Sequence, residues 1–126
     1  FELHHPIATL SVSALGLYDD ARFPGRCLLV LRDHEEHLDR LSDDLYHRFL
    51  ADLRAAAQAI RRATDAPRLN LAILGNVEPH IHAHLVPRGG EQDTAPRRTP
   101  WDHPAETRSL GPREIEGLVR RIREGL

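Results

Sequence analysis

Lysine and methionine are both missing from this 126-residue chain, and cysteine and tryptophan occur once each. The single cysteine, Cys27, excludes an intrachain disulfide. It falls in an apolar run and reads as a small buried residue rather than a nucleophile. All 17 basic residues are arginine, a pattern we read as coding bias. Against 19 acidic residues they leave a net charge of −2. No basic excess argues for nucleic acid, and no acidic run argues for disorder. No apolar stretch approaches the roughly 20 residues needed to span a membrane, and no secretory hydrophobic region is visible. The expectations are no membrane, no nucleic-acid partner and a cytoplasmic location. The missing methionine suggests that residue 1 is not the native start. The length predicts one domain over 1–126, with 1–6 and 89–110 as loop or tail segments. Such a chain buries about two-thirds of its unfolded surface, enough for one core.

What the chain does have is histidine, nine in all, and three of them stand at alternate positions in Gly75-Asn76-Val77-Glu78-Pro79-His80-Ile81-His82-Ala83-His84-Leu85-Val86-Pro87. A β-strand has a side-chain period of two, so His80, His82 and His84 are expected on one face, with Cα atoms roughly 6.5 Å apart. Ile81, Ala83 and Leu85 would turn to the opposite, core face. Pro79 and Pro87 bracket the run, as proline is tolerated at strand ends. A neutral imidazole is a good nucleophile near neutrality, and its neighbours can hold its tautomer or stabilise developing negative charge. His82, flanked on both sides, is the expected nucleophile. Two other readings stay open. The row can be a solvated strand face, or three imidazoles can share a zinc ion. Glu78 is the only acidic residue near enough in sequence to join such a site.

The remaining pattern is α+β. From Ile7, apolar Leu10, Val12 and Ala14 alternate with Thr9, Ser11 and Ser13, which predicts a half-buried strand. Leu15 to Tyr18 continues as a second short strand after a bend at Gly16. Tyr18 to Gly25 is a charged loop with turn formers at its ends. Arg26 to Leu31 reads as a central strand. Ser42 caps a helix of about 22 residues whose stripe is Leu45, Phe49, Leu53, Ala56, Ala57 and Ile60, ending at Asp65-Ala66-Pro67. Leu69 to Leu74 is a strand joined through Gly75 to Pro79 to the histidine run, an antiparallel hairpin. Residues 88–109 form a loop region without a core of its own, in which Trp101 is an anchor. Gly111-Pro112 opens a terminal helix with Ile115, Leu118, Val119 and Ile122 as its stripe. The adjacent His4 and His5, and His47 off the helix stripe, receive no role.

His80-Ile81-His82-Ala83-His84-Leu85-Val86 resembles the signature of the histidine triad (HIT) superfamily, in which three histidines alternate with apolar residues and two apolar residues follow. All seven positions fit. The resemblance extends upstream through 69–76 and through Phe23-Pro24-Gly25 to His34, covering roughly residues 17–88. It implies a HIT-like antiparallel sheet of about five strands with one long helix and a C-terminal helix. It implies a homodimer with a continuous sheet, in which the C-terminal segment crosses to the other subunit's site, a path open to Trp101. It implies nucleotidyl transfer to water through a nucleotidyl-His82 intermediate, with His80 and His84 assisting and no metal or other cofactor. Candidate substrates are dinucleoside polyphosphates or nucleoside phosphoramidates, AMP-containing ones above all. The family's ribose-holding acid or amide maps to Asp20, with Asp19 as alternate, and its phosphate- or ribose-touching asparagine to Asn76.

Two departures stand out. Where many HIT proteins carry a supporting histidine, this chain has Arg26, which cannot accept a proton. It reads either as a phosphate ligand or as a solvent-facing strand arginine. The Ser or Gln that often precedes the triad is replaced by Val77-Glu78-Pro79. His34 takes the position of another histidine and reads as a minor structural residue. The departures keep alive a regulatory nucleotide-binding module that has lost catalysis, and the three histidines as ligands leave open a metal-dependent hydrolase. A DNA-repair role known in one HIT branch is not expected, since the chain has no zinc-finger cysteines and no basic patch.

Overall fold

The apolar run after Gly25 becomes the middle of a five-stranded sheet. In the computed structural model, which describes residues 3–126, the strands are β1 (His5–Thr9), β2 (Ser13–Leu17), β3 (Cys27–Leu31), β4 (Arg68–Ala72) and β5 (His82–Arg88). Their order is β1-β2-β3-β5-β4, and every pair is antiparallel. Helix α1 (Asp43–Thr64) packs against β2, β3, β4 and β5, and helix α2 (Pro112–Glu124) against β1, β2 and α1. The expected α+β architecture is therefore the observed one. No helix among the described residues is long and apolar enough to cross a membrane.

Alternation sorts the central strands cleanly. Cys27, Leu29 and Leu31 of β3, with Ala83 and Leu85 of β5, join Phe49, Ala56, Ala59 and Ile60 of α1 in one buried cluster. Leu28 pairs with His84 and Val30 with His82, so these four share the opposite face. The core thus fixes the register that presents the histidines, because a one-residue slip would bury the imidazoles and expose the leucines. Cys27 is fully buried, and that burial pushes its thiol pKa up, in keeping with the small-core-residue reading.

Several boundaries differ from the sequence expectation. The N-terminal strand does not run on to Ala14; it breaks at 10–12 into a hairpin between β1 and β2. The cause lies on α1. The buried carboxylate of Asp52 accepts the main-chain N–H groups of Ser11 (3.3 Å) and Val12 (2.9 Å) and the hydroxyl of Ser13 (2.7 Å). Strand β4 ends at Ala72 rather than Leu74, so the connection to β5 is longer than the five residues expected. The positive φ in that connection belongs to Gly75 (80°), not to Asn76.

Helix α1 spans 22 residues from its Ser42 N-cap, whose side chain accepts the Leu45 N–H, and closes on Asp65 in the left-handed region. Gly25 supplies the turn that delivers β3. Its φ is +100°, and a Cβ there would lie 2.5 Å from Thr64 Cγ2. The 89–110 region is not bare loop. It includes a 3₁₀ turn at Pro100–Asp102 and is clasped by Arg88, which is buried. Arg88 donates to Asp93 (2.8 Å), Asn70 Oδ1 (3.0 Å) and the Ala95 carbonyl (2.8 Å).

Candidate active site

The β3–β5 ladder runs only from Cys27 opposite Leu85 to Val30 opposite His82, and His80 falls just outside the strand. This corrects the expectation of one strand carrying all three histidines. The chain stays anchored there nonetheless: Ile81 accepts from the Leu31 N–H (3.1 Å) and donates to the Glu35 carbonyl (2.9 Å). The His80 ring takes up the carbonyl that a longer strand would have used, donating from Nε2 to Leu31 O. Its Nδ1 lies 3.4 Å from Nδ1 of His34, with the rings edge to face at 5.4 Å. His34 therefore belongs to the histidine cluster, which sequence reading had given only a minor place.

His82 is buried, and its Nδ1 sits 2.8 Å from the main-chain oxygen of His80. A carbonyl oxygen only accepts, so Nδ1 carries a proton, and in the neutral ring Nε2 carries the lone pair. That is the tautomer a nucleophile needs. His84 stands beside it, with ring centroids 5.2 Å apart.

Arg26 is not solvent-facing. It is buried, with Nη1 3.0 Å from Asp20 Oδ2 and Nη2 3.3 Å from His84 Nδ1. Its guanidinium lies 4.0 Å from the Tyr18 ring centroid and 5.8 Å from that of Trp101. Burial, then the Arg26 charge, then His82 push His84 down to about 4.

Asp20, expected on the ribose, is fully buried and its carboxylate faces two arginines. Arg22 donates to it from the main chain (3.0 Å), from Nε (3.0 Å) and from Nη2 (2.8 Å), and Arg26 takes the rest. Burial alone would raise its carboxyl pKa; the Arg22 hydrogen bonds and the charges of Arg22 and Arg26 outweigh this and hold it below the usual range. Asp19, the alternate, accepts the Leu110 N–H at 2.7 Å and lines a hollow of about 310 Å³ with Leu3, His4, Leu17, Tyr18 and Leu28. Leu28 is the cross-strand partner of His84, so the hollow adjoins the histidine row. A slightly larger hollow, about 340 Å³, lies between α1, α2 and Pro87–Arg88 and is lined by none of the three histidines. Asn76 is exposed on the β4–β5 connection.

Trp101 stands with its ring edge-to-face on the His84 of its own chain, centroids 5.1 Å apart, and is 51% exposed. The clasp that brings it there, Arg88–Asp93–His103, had no sequence signal beyond scattered charge. His103 Nε2 donates to Asp93 (2.9 Å) while its Nδ1 accepts from Ala105 (3.2 Å). Burial opposes ionisation of Asp93, but Arg88, the Gly89 and Ala95 N–H groups and His103 hold it well below the usual carboxylate range. Phe23 is the shared wall: the guanidinium carbons of Arg22 and Arg88 lie 5.0 and 5.1 Å from its ring centroid, and His103 meets its edge.

No group of three or more His, Cys, Asp or Glu among the described residues is arranged to hold a metal ion. The guanidinium on His84 Nδ1 occupies the direction from which that nitrogen would ligate a cation.

Fold and site together define an α+β protein with a histidine row on the helix-free face of its sheet. The HIT domain family profile matches residues 8–91, more than half of the chain, and the chain belongs to that family. Its fold is that of a histidine triad (HIT) protein from Sinorhizobium meliloti, with TM-score 0.87 and 24% identity over 97% of this chain and 89% of that one. A histidine triad protein from Bradyrhizobium japonicum aligns with TM-score 0.86 and 24% identity, covering 94% and 87%. A hypothetical histidine triad nucleotide-binding protein from Sulfolobus tokodaii aligns with TM-score 0.72 and 19% identity, covering 96% and 82%. No curated protein matches the chain.

Proposed function

We propose that the chain is a nucleotide hydrolase or nucleotidyl transferase that cleaves at the α-phosphate through a nucleotidyl-His82 intermediate. The observation that carries this reading is the His82 ring, held through Nδ1 by the His80 carbonyl so that Nε2 keeps its lone pair. The nucleotide-binding name of the Sulfolobus relative and family membership point the same way. The nucleoside enters the hollow at Leu28, with Asp19 rather than Asp20 on the ribose. The α-phosphate then lies on the histidine row. His82 Nε2 attacks phosphorus in line with the leaving group, and the cation that forms on the ring is stabilised by the His80 carbonyl. Arg26 supplies fixed positive charge behind His84, and His84 donates a hydrogen bond to an equatorial oxygen. Positioning and charge stabilisation do most of the work in phosphoryl transfer.

His82→Ala is expected to lower turnover of a dinucleoside polyphosphate by about 10⁴-fold or more, as loss of a covalent nucleophile does, while AMP binding persists. Unchanged turnover would sink the assignment. Tight AMP binding with no hydrolysis by the wild type would favour a regulatory module.

We also propose a homodimer. β4 is paired on one side only, and Leu71 and Leu74 are exposed on and beside it. An unpaired apolar edge is a ready surface for a second copy. A monomeric sedimentation coefficient at micromolar concentration would contradict it.

A further inference from the structure

We propose that Arg26 restricts the site to leaving groups that depart without a proton, so that phosphoanhydrides are its substrates and phosphoramidates are poor ones. The inference rests on the nucleotidyl-transfer reading above and narrows its substrate class. It starts from a contact between two nitrogens, Arg26 Nη2 and His84 Nδ1, 3.3 Å apart. A guanidinium has donors and no acceptor, and it does not give up its charge. Arg26 must therefore donate, His84 Nδ1 must hold a lone pair, and the one ring proton of His84 sits on Nε2. An imidazolium would need a proton on Nδ1 as well, aimed at a cation.

Arg26 cannot easily step aside to allow that. Asp20 holds its Nη1 at 3.0 Å, and the Tyr18 ring lies against its guanidinium. The groups facing His84 from each packed element tell the same story. Tyr18 directly follows β2, Arg26 directly precedes β3, β5 contributes His82, and the tail contributes Trp101. β4 places only Ala72 opposite it. The carboxylate of Asp20 is taken up by Arg22 and Arg26, and Asp19 accepts the Leu110 N–H. His84 is thus a neutral hydrogen-bond donor at ordinary pH, in line with its depression to about 4. His80 gives its Nε2 proton to the Leu31 carbonyl, and His82 gives its Nδ1 proton to the His80 carbonyl.

The consequence follows from the electron count. In the first step the Nε2 lone pair of His82 forms the P–N bond. The P–O bond to the bridging oxygen breaks, and its electron pair leaves on the polyphosphate, which is stable as an anion. In the second step a water oxygen attacks phosphorus, the P–N pair returns to Nε2, and the water proton passes to solvent. The products are a nucleoside monophosphate and a proton. A phosphoramidate differs at the first step. Its P–N bond would leave an amide anion unless a proton reached the nitrogen as the bond broke, and the N–H of a neutral His84 is far too weak an acid to transfer one. A positioned general acid contributes about 10²–10⁴-fold, and that is the factor a phosphoramidate loses here. Arg26 acts through His84 and is a positioning residue.

The test compares kcat/KM of the whole chain for diadenosine tetraphosphate and for an AMP phosphoramidate of a primary alkyl amine. The expected preference for the anhydride is about a hundredfold or more. Arg26→His, which puts a titratable ring behind His84, is expected to shrink that ratio by about tenfold. Since this variant also removes the partner of Asp20 and can fail to fold, ¹⁵N NMR of the wild type supplies a second readout. It is expected to show His84 protonated on Nε2 alone at neutral pH. Comparable kcat/KM for the two substrates, a ratio unmoved in a folded Arg26→His, or a proton on His84 Nδ1 would each overturn the inference. Turnover of neither substrate would take down the nucleotidyl-transfer reading and this inference with it.

Discussion

At His84 one contact decides the proton inventory of the site. Burial, and next to it the Arg26 guanidinium lying against Nδ1, disfavour the charged ring, so the folded chain protonates it only near 4 against an ordinary value of 6.5. The sign of the stability effect follows. Between about 6.5 and about 4 the unfolded chain binds a proton at this residue that the folded chain refuses, so stability falls as pH drops through that window. His84→Gln should remove this part of the pH dependence, read as urea midpoints from neutral to mildly acid pH. Identical slopes for the two proteins would contradict the assignment. Asp20 and Asp93, both held below the carboxylate range, add losses only at more acid pH, because their stabilisation is full above about 3.8. The histidine pair 82 and 84 was legible from the period of a strand. The Asp20–Arg26–His84 contact was not, because it depends on how the turn at Gly25 folds back. The same blindness made Asp20 look like a ligand-facing acid, when two arginines consume it.

At the scale of elements, β3 sets the lengths of its neighbours. Its ladder with β5 stops at Val30 opposite His82, and beyond it the Leu31 carbonyl goes to the His80 ring rather than to the Ile81 N–H. Hydrophobic alternation predicts the faces of β3 and β5 and the stripe of α1, since those patterns are local. It does not predict the β1–β2 break, because the cause is a carboxylate some forty positions away in sequence. Asp52→Ala would leave the Val12 N–H and the Ser13 hydroxyl without their buried acceptor. The expected cost is about 1–3 kcal/mol, measured by urea unfolding, with faster amide exchange at Ser11 and Val12. Exchange unchanged at those two amides would show that the hairpin does not depend on Asp52.

Across the whole molecule, buried polar groups tie the site to its tail. Arg26, Asp20 and Arg22 lead from His84 to Phe23, and Phe23 leads to Arg88, Asp93 and His103. That clasp organises the segment carrying Trp101, whose ring edge ends on His84. The family was legible from seven residues, whereas this tail read as loop because polar, proline-rich sequence carries no periodicity. The account as a whole stands on His82 as nucleophile. Its most direct measurement is the intact mass of the chain, rapidly quenched during reaction with diadenosine tetraphosphate, for wild type and His82→Ala. The account predicts an added adenylyl mass on the wild type alone. An adduct of equal amount on His82→Ala, or turnover by the wild type with no adduct at any quench time, would contradict it.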